Sequence, residues 1–130
     1  MDSKNYQDYF FKQAKSQGYR SRSAFKLIEL NNKFKFIKNG INVLDVGSFP
    51  GGWCQVIRKK INSGKILGID IKKIKEIDGV KFIQGDFLNE DSKKIIKDYF
   101  VSKIDLILSD MASNTTGNKS LDSIRTNQLC

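Results

Sequence analysis

The chain has 130 residues, enough for one domain, and its 39% apolar and 28% charged content argues against both a disordered chain and a membrane-embedded one. Its apolar runs are strand-length, well short of the roughly 18 residues that a membrane span needs. The net charge of +9 is unevenly spread: residues 1–40 hold nine Lys/Arg against three acidic residues, while the other ninety hold fourteen against eleven. A basic segment of this kind suits a polyanion, although a solvated lysine-rich face gives the same count.

In chain order, the N-terminal stretch to about Phe36 reads as helical. Tyr9, Phe10 and Gln13 form a first turn pattern, and Gly18 breaks it. A second helix starts near Ser21 or Ser23, either of which suits a cap, and Ala24, Leu27, Ile28 and Asn31 make its apolar face with Lys26 near the edge. Ile41–Val46 is a short apolar run ending at Gly47, the mark of a buried strand. Gly51-Gly52-Trp53 opens a helix to about Ile61, stopped by Asn62-Ser63-Gly64. Lys65–Asp70 and Val80–Gln84 are the next two strands. Glu90–Phe100 is an amphipathic helix with Ile95, Ile96, Tyr99 and Phe100 on one face, and Ile104–Ser109 is a fourth strand. A polar loop, Asp110–Ser120, leads to a further helix from about Leu121. Strands alternating with helices predict an α/β fold with a parallel sheet and right-handed crossovers. A sheet stopping at a fourth, uncovered edge strand is unusual, so the chain is expected to be a fragment or one part of a split gene.

The chemistry centres on Asp45-Val46-Gly47-Ser48-Phe49-Pro50-Gly51-Gly52-Trp53, a strand, a glycine turn and a helix start. Glycines serve where the backbone takes positive φ or approaches a ligand, and a helix start offers unpaired N–H groups. The spacing G-x-x-x-G-G lacks the dinucleotide fingerprint that holds a pyrophosphate. S-adenosylmethionine has no phosphate; its carboxylate suits backbone donors and its cationic groups suit nearby acids. Asp70 ends the second strand, where a carboxylate can accept from ribose hydroxyls. That placement indicates a nucleoside and does not say which one. Asp86 follows the third strand, within reach of an adenine amino group, and Asp110 ends the fourth. Each aspartate alone reads as a turn or cap residue, but three at one sheet edge beside a glycine turn read as a site.

Four collinear stretches make the reading specific: Tyr19-Arg20-Ser21-Arg22-Ser23-Ala24-Phe25-Lys26-Leu27, Asp45-Val46-Gly47 with Pro50-Gly51-Gly52-Trp53, Gln84-Gly85-Asp86-Phe87, and Ser109-Asp110-Met111-Ala112 with Asn114. In these the chain resembles the FtsJ/RrmJ family, which methylates a ribose 2′-hydroxyl of large-subunit ribosomal RNA. Ser48-Phe49 stand where family members usually have two small residues, and Ser113 where proline is frequent. The resemblance implies a Rossmann-like, class I methyltransferase fold, truncated after the fourth strand. It implies S-adenosyl-L-methionine as cofactor, with Gly47, Gly51, Gly52, Trp53, Asp70, Asp86 and Asp110 at its site. The family is described by a Lys-Asp-Lys-Glu tetrad. Lys26 and Asp110 match its first two members, and the other two are expected beyond Cys130.

On that reading residues 1–40 form a basic helical segment and residues 41–130 an incomplete cofactor-binding domain. Lys12, Lys15, Arg20, Arg22, Lys33 and Lys35 are the expected contacts to RNA phosphates, interleaved with Tyr9, Phe10, Phe11, Tyr19 and Phe25. Most of those aromatics also suit the core of the N-terminal helices. The expected partner is ribosomal RNA in the large subunit, with no membrane and no metal requirement, in the cytoplasm. Cys54 and Cys130 show no metal or redox spacing, and the charged N-terminus has no signal-peptide core. The principal rival is a catalytically impaired fragment that binds cofactor or RNA without turnover. A nicotinamide dehydrogenase and a protein or small-molecule methyltransferase are weaker rivals.

Overall fold

In a computed structural model the described residues are 17–109, together with the backbone of 124–126. Gly18 turns the chain at a φ of 82°, as its position before the first helix suggests. Helix α1 spans Ser23–Phe34 and buries Ala24, Leu27 and Asn31, most of the apolar face read from the spacing. Neither Ser21 nor Ser23 caps it through a side chain. Arg22 occupies the cap, and the two hydroxyls bond each other at 2.8 Å. The helix ends at Lys35 in the left-handed region (φ 57°), whose N–H donates to Asn31 O. The buried Asn31 side chain then accepts the Ile37 N–H at 2.8 Å, fixing the exit of the chain.

Strand β1 is Val43–Val46, β2 Ile66–Asp70, β3 Lys81–Gln84 and β4 Leu106–Ser109. Helix α2 (Gly52–Lys60) joins β1 to β2, and helix α3 (Glu90–Phe100) joins β3 to β4. The Asn89 side chain caps α3 by accepting the Asp91 N–H at 2.8 Å. Ile96 and Phe100 of α3 are buried, but Ile95 is 42% exposed, so the apolar stripe is narrower than the sequence suggests. The sheet order is β3-β2-β1-β4-β5, with the first four strands parallel. Strand β5, Ile124–Thr126, pairs antiparallel with β4. This corrects two expectations: a helix from about Leu121 and an uncovered edge at the fourth strand. A three-residue strand with a basic residue at its centre carries almost no periodic signal, and only its pairing with β4 reveals it.

The strands alternate faces, as a period of two requires. Val43, Ile66, Leu106 and Leu108 pack with Ala24, Leu27, Trp53, Val56 and Ile57 of the two helices on one face. Leu44, Val46, Leu67, Ile69 and Ile107 pack with Ile96 and Phe100 on the other. Helix α1 therefore belongs to the same core as the sheet. At the amino edge one residue gathers three strand starts. The Asn42 N–H donates to Asp105 Oδ2 at 2.8 Å, its Oδ1 accepts the Lys65 N–H at 3.1 Å, and its Nδ2 donates to Lys103 O at 3.0 Å. Its carbonyl accepts the N–H groups of Asp105 and Leu106. Among the described residues no helix is long and apolar enough to cross a membrane.

Candidate functional site

The carboxyl edge is shaped by the turn after β1. Gly47 (φ 75°) and Gly51 (φ 109°) adopt backbone angles that side chains with a Cβ rarely take, and the Phe49–Pro50 peptide between them is cis. A Cβ on Gly52 would run into the Ser21 side chain, so the glycine lets the segment before α1 lie against the start of α2. The turn is bound to its neighbour strand. Gly47 N–H and Ser48 N–H both donate to Ile69 O, and Phe49 N–H donates to Asp70 Oδ2 at 2.9 Å. These three amides are committed inside the protein. The start of α2 follows directly, with Gly52, Trp53 and Cys54 buried.

A cavity of about 330 Å³ opens beside this turn. Gly47, Asp70 and Asp86 line it together, with Val46, Ile69 and Phe87 giving an apolar floor and Phe49, Ile71 and Lys72 a rim. Asp70 is held rigidly: Oδ2 takes the Phe49 amide and Oδ1 the Lys72 amide at 3.0 Å. A carboxylate oxygen can accept two bonds, so both keep capacity for a ligand hydroxyl. Asp86 closes its own turn by accepting the Leu88 N–H at 2.9 Å. The Gly85 N–H donates to Asp70 O at 2.8 Å, which ties the ends of β2 and β3 together. A second hollow, between residues 73–80 and β3, includes none of Gly47, Asp70 or Asp86.

Other expected site residues lie elsewhere. Trp53 is buried against α1, its indole N–H donating to Ser23 O at 2.9 Å, and it borders a shallow depression with Gly52, Ser21 and Ser48. Gly51 packs beneath Ile74 and Ile77 and the Arg20 side chain. Lys26 is exposed on α1, one turn beyond Ser23. Arg22, Lys33 and Lys35 are exposed at the two ends of that helix, with the Lys33 ammonium 5.5 Å from the Phe34 ring. Tyr19 and Phe25 meet edge to face at 5.7 Å, and the Lys59 ammonium lies over the Tyr19 ring. Arg20 differs most from expectation. Its guanidinium donates to the carbonyls of Pro50, Lys75 and Glu76. Lys12, Lys15 and Asp110 lie outside the described residues, as do Tyr9, Phe10, Phe11 and Cys130.

Two features went unread in the sequence. Phe49 is 44% exposed at the cavity rim with the Lys72 ammonium 5.1 Å from its ring. Asp45 is buried in β1, where it accepts a hydrogen bond from the Cys54 thiol at 3.5 Å. Burial pushes the Cys54 thiol well above its ordinary range, Asp45's charge and hydrogen bond push it further, and the Arg20 charge opposes them.

Residues 19–130 match the family model described as FtsJ-like methyltransferase. The chain belongs to that family. Among relatives of the FtsJ-like chain is a ribosomal RNA large subunit methyltransferase E from Pelagibacter ubique. It is 46% identical over 127 residues, which cover 98% of this chain and 63% of that one. Another of that name, from Methanosarcina acetivorans, is 48% identical over 124 residues, covering 94% and 45%. A crystal structure described as a ribosomal RNA methyltransferase from Plasmodium falciparum superposes with a TM-score of 0.66 at 42% identity. The match covers 81% of this chain and 62% of that one. The FtsJ-like chain thus spans between about half and two thirds of these relatives' lengths. Membership in a methyltransferase family implies a methyl donor as the small-molecule ligand.

Proposed function

We propose that the chain binds S-adenosyl-L-methionine in the cavity at the carboxyl ends of β1–β3 and serves methyl transfer to a ribose 2′-hydroxyl of large-subunit ribosomal RNA in the cytoplasm. The observation that carries this reading is the convergence of Gly47, Asp70 and Asp86 on one cavity in a chain of the FtsJ-like family. The residues fit the group. The Asp70 carboxylate, pinned by two backbone amides, has acceptor capacity for the vicinal ribose hydroxyls. Asp86 offers an acceptor to the adenine amino group, and the apolar floor suits the purine faces. In this reading the glycine turn at Gly47, with Gly51, Gly52 and Trp53 beyond it, takes the amino-acid end of the ligand.

S-adenosyl-L-methionine supplies a methyl on a sulfonium, with a neutral thioether as leaving group. The chain's contribution is alignment and charge. A ribose hydroxyl must lie in line with the methyl and sulfur, and such positioning lowers the barrier substantially. In this proposal Lys26 orients that hydroxyl and stabilises its developing negative charge, while the hydroxyl proton passes to water or to a base other than Lys26 as the oxygen–methyl bond forms and the sulfur–methyl bond breaks. Asp110 fixes the lysine and contacts the cofactor. The basic segment 1–40, with Lys12, Lys15, Arg22, Lys33 and Lys35, gives RNA affinity through phosphate contacts.

Two measurements test the reading. Thermal shift should rise with S-adenosylhomocysteine and not with NAD. Tritium from labelled S-adenosylmethionine should pass to undermethylated large ribosomal subunits, and nuclease digestion should locate it on ribose. Stabilisation by NAD alone, or label on a base, overturns the proposal. Binding without transfer makes the chain a cofactor- or RNA-binding module.

A further inference from the structure

Arg20 is a half-buried cation whose guanidinium donates to three backbone carbonyls. Its Nη1 donates to Pro50 O at 3.1 Å and also to Lys75 O, and its Nη2 donates to Glu76 O at 2.8 Å. Its own backbone N–H donates to Gln55 Oε1 at 2.7 Å, and Gln55 Nε2 donates to Gly18 O at 3.0 Å. One side chain thereby joins three segments: residues 18–20, the glycine turn with the start of α2, and the β2–β3 loop over residues 71–80. Both joined loops contribute to the cavity. The turn provides Gly47 and Phe49, and the β2–β3 loop provides Ile71 and Lys72. The loop closes on the turn at Gly51, where an added Cβ would lie 3.0 Å from Arg20 Nη1 and 3.5 Å from both Ile74 and Ile77.

We infer that Arg20 is a positioning residue for the methyl-donor pocket, a guanidinium staple that sets the distance between its two rim loops, rather than a contact to RNA phosphate. The inference rests on the proposed function of that pocket. Its chemical basis is the planar fork of the guanidinium, which presents several donors at fixed angles and can span two carbonyl-bearing loops at once. A lysine carries the same charge on a compact ammonium and cannot hold both loops in one geometry. The two roles therefore respond differently to substitution. A phosphate contact depends on charge and survives Arg20→Lys. A staple depends on shape and does not.

The test uses Arg20→Lys and Arg20→Gln, with Ile61→Val as a control for general loosening, since Ile61 is buried at the far end of α2. Calorimetric affinity for S-adenosylhomocysteine is measured well below each variant's unfolding temperature, and RNA affinity is measured across a salt series. The expected result is a loss of about tenfold or more in S-adenosylhomocysteine affinity for both Arg20 variants, none for Ile61→Val, and an unchanged RNA salt slope for Arg20→Gln. Should both Arg20 variants keep full affinity, or lose no more than Ile61→Val at a matched drop in unfolding temperature, the staple is overturned. A salt slope reduced in Arg20→Gln and kept in Arg20→Lys, with cofactor affinity intact, restores the phosphate contact. If the unmodified chain binds no S-adenosylhomocysteine, the pocket's proposed function fails and this inference with it.

Discussion

The Asp70 carboxylate receives the Phe49 amide at 2.9 Å, so the tip of β2 and the glycine turn after β1 are one hydrogen-bonded unit. Any ligand hydroxyl that reaches Asp70 meets a group already aimed by two backbone donors. Asp70→Ala removes the ligand's acceptor and loosens the turn together. The expected cost is about 1.5–3 kcal/mol in S-adenosylmethionine binding, or about ten- to a hundredfold in affinity. Calorimetry on a folded variant decides it, and an unchanged affinity would sink the assignment of Asp70.

The Trp53 indole N–H holds Ser23 O across thirty residues of sequence. Trp53→Phe keeps most of the buried ring and deletes the donor, leaving a carbonyl at the start of α1 without it. Urea unfolding should show a loss of about 1–3 kcal/mol. The signature is a lower midpoint with an unchanged slope. A loss below about 0.3 kcal/mol would mean that α1 is held by its apolar face alone.

Lys33 and Lys35 stand exposed at the end of α1. If they neutralise phosphates, changing both to Gln reduces the log–log salt slope of RNA binding by about 0.7–0.9 per contact. The affinity for S-adenosylhomocysteine stays as it was, because neither residue lines the cavity. An identical salt slope would remove these two from the RNA surface.

Cys54 gives a pH signature. Its folded-state pKa is raised well above the ordinary thiol value of about 9.0, first by burial and then by Asp45. Between the unfolded and folded pKa values the unfolded chain has lost this proton and the folded chain has not. The unfolded state then binds fewer protons, so stability falls as pH climbs above about 9 and is unaffected below. Cys54→Ala should flatten the part of the alkaline decline that this thiol causes, up to about 1.4 kcal/mol per pH unit. In the native protein at pH 8 a thiol reagent should leave Cys54 unmodified, and denaturant should release it. Rapid native modification at Cys54 would contradict its burial.

The four parallel strands and α3 were legible because each is a short apolar run or a 3.6-residue stripe bounded by glycine, asparagine or a cap. The gathering of Gly47, Asp70 and Asp86 was legible for a related reason: residues that end parallel strands come out at one edge. Strand β5 was not, since Ile124-Arg125-Thr126 owes its conformation to β4 and carries no pattern of its own. The partners of Arg20 were not legible, because sequence gives a residue's charge and not its acceptors. A guanidinium facing three carbonyls from distant segments looks, in one dimension, like any surface cation. Ile95 was placed inside the apolar stripe of α3 because four apolar residues cluster there. At 100° per residue, however, the turn that buries Ile96 carries its neighbour toward solvent.

Asn42 sits at the opposite end of the sheet from the cavity, about five residues of strand from Gly47, roughly 16 Å away. Its six hydrogen bonds nonetheless bear on what happens there. Strands do not stretch, so the level at which β1, β2 and β4 start is also the level at which they finish. A one-residue slip of β2 against β1 would point Asp70 to the other face and withdraw it from Gly47 and Asp86. The level of Asp70 beside Gly47 is therefore set like the heads of rods squared off at their feet. An asparagine outside the cavity lining is the plate on which they stand.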